Sequence, residues 1–515
     1  NYSLYDRYLL TVTMRADGSS KFSRGNRWGY FPAAALGWRI SEESFMENTR
    51  GWLSNLKLRL SYGTAGNNRI GDAMYETTYT AYSGSKYYGA GNEQNPHYTL
   101  NNSQLANPDL KWETTITRNI GLDFGFFNER ISGSIDYYWN TVKDLLIDMP
   151  ITAIGYTSMQ QNLGQTSNRG IELALNTAIL QHKDYSLNFN FNIGFNKNKV
   201  DKLADGLNYL AFKSGAFSTD MIGQDDYRVI VGQPLGLVWG FVSDGVYGVD
   251  DFVTYTDENG KTQFQFDKSG NYILKDGVVS NTVTTAGSYA GLRPGATKLK
   301  DLDNSGDISE DGDRTIIGKT QPKFTGGFGI NATYKWFDIA ANFNFVVGND
   351  VYNMDKIVSS QSYRNSWASL RADMTPVTLG GNAWTYLDQT TGEIINDYET
   401  LKAMNAGATM WSAATVSDNK PFASTWAIED GSFLRLQNLT VGFTMPKTWT
   451  RKFSCNQLRL YCTLNNVFCL TKYDGYDPEV STAIRNSKTS GLTPGADFSS
   501  YPKSFSWTAG VNITF

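Results

Sequence analysis

From Tyr185 to Asn196 the chain alternates without a break. Tyr185, Leu187, Phe189, Phe191, Ile193 and Phe195 share one parity; Ser186, Asn188, Asn190, Asn192, Gly194 and Asn196 share the other. Side chains leave a strand on opposite faces with period two, so this run predicts a β-strand with one apolar face and one wet face. Strands in soluble sandwiches usually run about five or six residues. A strand that crosses an outer membrane needs roughly 9 to 11, tilted about 45°. A run of this length therefore favours a transmembrane barrel, in which the apolar face meets lipid and the polar face a lumen.

The same alternation recurs near residues 8–15 and at about 26–41, 53–66, 111–128, 130–148, 168–183, 185–200, 223–233, 235–247, 323–334, 336–349, 431–446, 456–470 and 502–515. The expectation is an all-β chain, a transmembrane antiparallel β-barrel with about fourteen strands in this chain. The connections differ sharply in length. "NER" at 128–130, "HKD" at 182–184, "GQP" at 232–234 and "KWF" at 335–337 are short, whereas 67–110, 248–322 and 350–430 are long. Short turns on one rim and long loops on the other are how bacterial barrels are built. One strand breaks register: in 431–446, Leu434 and Leu436 take one parity, Leu439, Val441, Phe443 and Met445 the other. A β-bulge near Gln437 or Asn438 would return both sets to one face.

Composition sharpens this picture. The chain of 515 residues carries 30 Tyr, 28 Phe, 13 Trp and 49 Gly against 13 Pro, a balance suited to aromatic-bearing strands and permissive turns. Mean hydropathy is −0.39 and no long apolar run is present, which excludes membrane helices but not a barrel. A net charge of −4 gives no basic footprint for nucleic acid. Three cysteines (Cys455, Cys462, Cys469) and two histidines (His97, His182) leave almost no material for a thiolate or imidazole metal site or a histidine-based catalytic centre. Cys462 and Cys469 have opposite parity on one strand, which does not suit a disulfide. No phosphate cradle or nucleophile–base pair is readable, so the sequence predicts no enzyme. The first residues show no signal-peptide pattern, so a processed protein or a fragment is expected.

Several stretches, in order, resemble one family: "RYLLTVTMRADGSSKF", "RWGYFPAAALGWRISEESFM", "LKLRLSYGTAGN", "NRGIELALNT", "LRPGATKLKDLDNSGDISEDGDRTIIGKTQPKFTGGFG", "DGSFLRLQNLTVGFTMPK" and "LYCTLNNVFCLTKYDGYDPEV". They are similar to the barrel of SusC-like (RagA-type) TonB-dependent outer-membrane transporters. The resemblance implies that residues 1–515 are the C-terminal part of a barrel of about 22 strands, with the plug, the TonB box and an N-terminal extension not in this chain. It implies active import of a nutrient, an oligosaccharide or a peptide, with energy from the TonB complex and a SusD-like surface lipoprotein as lid. An N-terminal plug and barrel segment, separate or simply not shown in this sequence, would complete the wall, and a nick or split before Asn1 is the expected origin of the gap. A passive porin of about 14 to 16 strands and a soluble secreted β-sandwich that binds glycans are the competing readings.

A barrel of more than about sixteen strands encloses a lumen too wide for side chains to fill. Arg59, Asn188, Asn190, Asn192, Gln457, Arg459, Thr463 and Asn465 are expected to line that lumen; Phe189, Phe191, Ile193, Leu458, Leu460, Trp507 and Ile513 are expected to face lipid. The sharpest local motif is "DLDNSGDISEDGD" at 301–313, in which Asp301, Asp303, Ser305 and Asp307 follow the opening of a calcium loop. The twelfth position is Gly312, so the closing acid is displaced and Asp313 is the candidate. Ca²⁺ is the one cofactor this motif suggests. "TKYDGYDPEVS" at 471–481 reads as a turn near the outer mouth. Tyr79, Tyr82, Tyr87, Tyr88, Trp367, Trp384 and Trp411 in the long loops could stack on sugar rings or serve loop packing.

Overall fold

The computed structural model describes residues 1–81, 87–90, 93–96, 98–100, 104–153, 156–204, 206–214, 221–223, 225–285, 291–361, 383–388, 390–412, 415, 421–479, 491–498 and 500–515. Its frame is one thirteen-stranded antiparallel sheet in which spatial order follows chain order. The strands are β1 (Tyr2–Leu4), β2 (Tyr8–Gly18), β3 (Trp28–Arg39), β4 (Leu53–Asn67), β5 (Glu113–Phe126), β6 (Ile131–Lys143) and β7 (Gln165–Gln181). They continue with β8 (Tyr185–Lys202), β9 (Phe324–Tyr334), β10 (Phe337–Val347), β11 (Phe433–Thr444), β12 (Gln457–Thr471) and β13 (Ser506–Thr514). All but β1 are long strands, as the alternation requires. The sheet is open in this chain, with β1 at one edge and β13 at the other.

Two of the expected strands lie elsewhere. Residues 223–233 and 235–247 do not join the wall. Within them, Tyr227–Ile230 and Leu237–Phe241 pair with Tyr209–Phe212 and Arg314–Lys319 in a separate four-stranded sheet. Tyr227, Val229, Leu237, Val238 and Phe241 are all buried, so these short strands serve a compact core, and their local alternation mimics a wall strand. The turn at 232–234 therefore belongs to the loop side. One upward and one downward strand leave the count together, so the remaining turns keep their rim.

The asymmetry of the connections holds. The turns at 127–130, 182–184 and 335–336 share a rim with the short helical connections at 40–52 and 445–456. Phe127, Asn128 and Glu129 turn with φ of +54°, +57° and +63°, and Ser54 Oγ accepts the Asn128 N–H at 2.7 Å. The opposite rim carries 68–112, 144–164, 203–323, 348–432 and 472–505.

The apolar core sits in this loop layer. Tyr227, Val238, Tyr352, Met354 and Ala496 form one cluster; Phe241, Leu299, Ile308, Trp411 and Phe422 a second; Tyr247, Phe252, Phe264, Trp384 and Leu401 a third. Each draws on more than one long loop. The wall is different: Val12 is 62 % exposed, Trp507 67 % and Ile513 49 %, and many other wall aliphatics are exposed. So much contiguous apolar surface is not left to water. No second sheet covers it among the described residues.

The register break is a bulge, as the sequence suggests. Asn438 pairs with Asn342 and Leu436 with Phe343, so Gln437 is the extra residue, and Leu434, Leu436, Leu439, Val441 and Phe443 return to one face.

Candidate functional site

Ladder register assigns the paired wall residues to a face. Arg59 stands opposite Gly121, Gly121 opposite Asp136, Asp136 opposite Glu172, and Glu172 opposite Gly194. Asn190 follows on that face through Gly329, Asn342 and Asn438 to Asn465. Arg59, Asn188, Asn190, Asn192, Gln457, Arg459, Thr463 and Asn465 thus share one continuous polar face. Phe189, Phe191, Ile193, Leu458, Leu460, Trp507 and Ile513 share the other.

The polar face is knitted by hydrogen bonds. Asn342 Nδ2 donates to Asn438 Oδ1 at 2.7 Å, the Thr440 and Thr463 hydroxyls lie 2.9 Å apart, and Asn465 Nδ2 donates to Ser506 Oγ at 3.3 Å. Aromatic rings cover the apolar face: Phe328 stacks on Phe343 at 4.5 Å between centroids, with Phe189 at 6.3 Å from Phe328.

Two ion pairs on the polar face each straddle an intervening strand. Arg59 of β4 reaches over β5 to Asp136 of β6 at 3.0 Å and also holds Asp123 through Nε at 2.9 Å. Arg459 of β12 reaches over β11 to Asp338 of β10, with Nε 3.1 Å from Oδ1. The strand beneath carries glycine in both cases. A Cβ on Gly121 would lie 2.4 Å from Asp136 Oδ1 and 2.6 Å from the Arg59 guanidinium; one on Gly442 would lie 2.4 Å from Asp338 Oδ1 and 2.6 Å from Arg459 Nη2. Asp123, Asp136 and Asp338 were not foreseen from the sequence. The signal was available: Gly121 and Gly442 take polar-face parity in otherwise charged or amide-bearing rows.

In the acidic loop the chain brings Asp301, Asp303 and Asp313 together, with one carboxylate oxygen of each within 4.8 Å of the other two. Asp301 accepts the N–H groups of Ser305 at 3.1 Å and Gly306 at 2.7 Å, and the Gly306 bond leads the effects that hold its carboxyl below the usual range. Asp313 is fully buried and accepts from Leu302 N at 2.6 Å and Ser309 N at 2.7 Å. A Cβ on Gly312 would fall 2.1 Å from Asp303 Oδ2, so the cradle is kept open by glycine. Asp307 is not among the clustered carboxylates, and Ser305 meets Asp301 and Asp303 through its backbone N–H. The Asp307 carboxylate takes the N–H of its own neighbour Ile308 at 3.0 Å, and its carbonyl accepts the Ser305 hydroxyl at 2.8 Å.

The segment from residue 471 is anchored rather than free. Tyr473 donates to Asp497 at 2.6 Å, and Arg435 of β11 holds Asp477 at 2.6 Å, both partners buried. Burial, with the bond to Asp497 next, raises the Tyr473 phenol above its usual range. Among the loop aromatics, Trp384 and Trp411 are core residues and Tyr79 is exposed. Tyr82 and Trp367 lie outside the described residues, as do the side chains of Tyr87 and Tyr88. The three cysteines form no disulfide among the described residues, and Cys462 and Cys469 point to opposite faces.

This arrangement has known counterparts. Residues 1–290 match the family described as TonB dependent receptor-like, beta-barrel. The chain belongs to that family. TonB-dependent receptor P39 of Formosa agariphila is 30 % identical over 520 residues, covering 100 % of this chain and 45 % of the relative. TonB-dependent receptor SusC of Bacteroides thetaiotaomicron is 29 % identical over 530 residues, covering 100 % and 43 %. The RagAB peptide importer in its "open-open" state superposes with a TM-score of 0.70 at 24 % identity, over 100 % of this chain and 46 % of that one. The chain thus spans less than half the length of the relatives it matches. As a TonB-dependent receptor barrel of SusC type it is an outer-membrane protein, and its class is that of transporters and receptors rather than enzymes.

Proposed function

We propose that this chain is the C-terminal wall of a TonB-driven importer that carries an oligosaccharide or a peptide across the outer membrane. The observation that carries the reading is the single polar face, unbroken from Arg59 to Thr514, backed by an apolar face with no protein cover among the described residues. A polar face toward a lumen and an apolar face toward lipid is the arrangement of a transmembrane barrel. Cross-strand ion pairs that jump a strand support a concave polar side, where side-chain tips converge. The long-loop rim faces the cell exterior and the short turns face the periplasm.

Two open sheet edges cannot face hydrocarbon, because each unpaired backbone group there costs several kcal/mol. Further strands, supplied by a segment outside residues 1–515, close the wall on both edges, and that segment carries the plug and the TonB box. A SusD-like lipoprotein closes over the loop layer, as family membership suggests. In the loop layer, Asp301, Asp303 and Asp313 hold one Ca²⁺ that fixes the 301–313 turn.

Uptake of candidate oligosaccharides and peptides by cells expressing the whole receptor tests the proposal. Uptake should cease when TonB is deleted; persistence would point to a passive pore instead.

A further inference from the structure

The lipid-directed face does not stay apolar up to the long-loop rim. On β7 it runs Leu180, Thr177, Leu175, Leu173, Ile171 and then Arg169; on β8 it runs Leu187, Phe189, Phe191, Ile193, Phe195 and then Lys197 and Lys199. Lys197 stands ten residues beyond Leu187. At about 3.3 Å per residue and a tilt of roughly 40°, that is about 25 Å of height, the depth of a barrel's apolar band. The charges begin where the hydrocarbon ends.

The neighbouring strands extend the strip. Arg118 of β5 lies 5.9 Å from the Tyr62 ring and donates to the Trp139 carbonyl at 3.5 Å, and Lys143 of β6 faces Gln165, which in turn faces Lys202. Above them opens a cleft of about 230 Å³ whose lining includes Lys143, Asn162, Gln165 and Lys202. The acids nearby are engaged. Asp144, also in the cleft, is held by Lys111 at 3.1 Å; Asp201 accepts from Gln165 and Ser167 and lies 3.9 Å from Lys199. Among the described residues no carboxylate lies within ion-pair distance of Lys143, Arg169 or Lys197.

Simple extension of long cationic side chains toward water would distribute such residues around the whole rim. Elsewhere on this rim the cations that continue the apolar parity sit beside acids: Lys503 is tied to Glu479, and the charge of Lys472 acts on Asp430. On the same face and rim, β9 to β12 end in Phe324, Val347, Leu434 and Leu470. We infer that the Arg118–Lys202 strip binds the phosphorylated headgroup of an outer-leaflet glycolipid, its phosphate against Arg169, Lys197 and Lys199 and its acyl chains along Ile193 and Phe191. Charge complementarity at the membrane boundary selects this occupant. The inference rests on the proposed orientation, with the long-loop rim outside.

The test uses the whole receptor, purified in detergent and exchanged into nanodiscs. Monophosphoryl lipid A, its dephosphorylated counterpart and inorganic phosphate are titrated, and retained lipid is measured by native mass spectrometry. Monophosphoryl lipid A should be retained at least tenfold better than the dephosphorylated form, and millimolar inorganic phosphate should not displace it. The triple substitution R169Q/K197Q/K199Q should abolish the difference while keeping the heat-modifiable migration of a folded barrel. Equal retention of the two lipids by the unsubstituted receptor overturns the inference whether or not the variant folds. Orientation is read separately, by labelling a cysteine at Tyr255 on intact cells with an impermeant maleimide. No labelling refutes the orientation and the inference with it; labelling with equal lipid retention refutes the inference alone.

Discussion

Arg459 and Asp338 are joined across a strand to which neither belongs. Their guanidinium and carboxylate meet over Gly442, just as Arg59 and Asp136 meet over Gly121. Strands lie about 4.8 Å apart, so such a pair ties three strands with one contact and needs the middle position to lack a side chain.

Gly442→Ala should therefore lower barrel stability by about 1–3 kcal/mol by displacing the pair. In an Arg459→Ala background the same glycine change should cost much less, a coupling within the usual range of about 0.5–3 kcal/mol for contacting groups. Urea unfolding in liposomes measures both. Additive effects would show that the glycine and the ion pair are independent.

Calcium should bind the 301–313 loop with a dissociation constant on the order of 10⁻⁴–10⁻³ M, as in extracellular modules. Asp303→Asn should weaken binding most cleanly, because Asp313 also receives the N–H groups of Leu302 and Ser309. Isothermal titration with the whole receptor gives the constant. A loop still empty at 10-fold above about 10⁻³ M calcium would remove the ion from the account.

Asp226 supplies a pH prediction. Burial pushes its carboxyl up to about 6 even though Ser214 donates to it through both N–H and hydroxyl. A folded value above the unfolded one means that the native state binds the proton more tightly. Stability then falls as pH rises from about 4 through 6, and acidification restores it. The full effect is on the order of 3 kcal/mol. Amide exchange of residues 225–230 should slow between pH 7 and 5, after correction for intrinsic rates, and Asp226→Asn should remove that dependence.

Much of this was legible because the wall separates two different surroundings, and every residue must choose a side. That choice writes period two into β8 as far as Phe195 and into β13 over its whole length, and it exposed the Gln437 bulge as a change of parity. Residues 223–247 misled for the converse reason. Strands buried on both faces in a loop layer can alternate over a few residues without marking a membrane crossing. The acidic partners Asp123, Asp136 and Asp338 were missed because pairing depends on register between strands far apart in the chain. Asp313 is local, yet its role depends on a turn that brings position 13 of the loop back to positions 1 and 3.

The central claim is that the Asn190 face lines a lumen and the Phe191 face meets lipid. Placing arginine at each position in turn, and measuring folding free energy in bilayers, tests it most directly. Phe191→Arg should cost roughly 2–4 kcal/mol, as for a lipid-facing cation near the midplane, and Asn190→Arg far less. Equal costs at the two adjacent positions would contradict the assignment of faces, and with it the reading of this chain as the wall of a transmembrane importer.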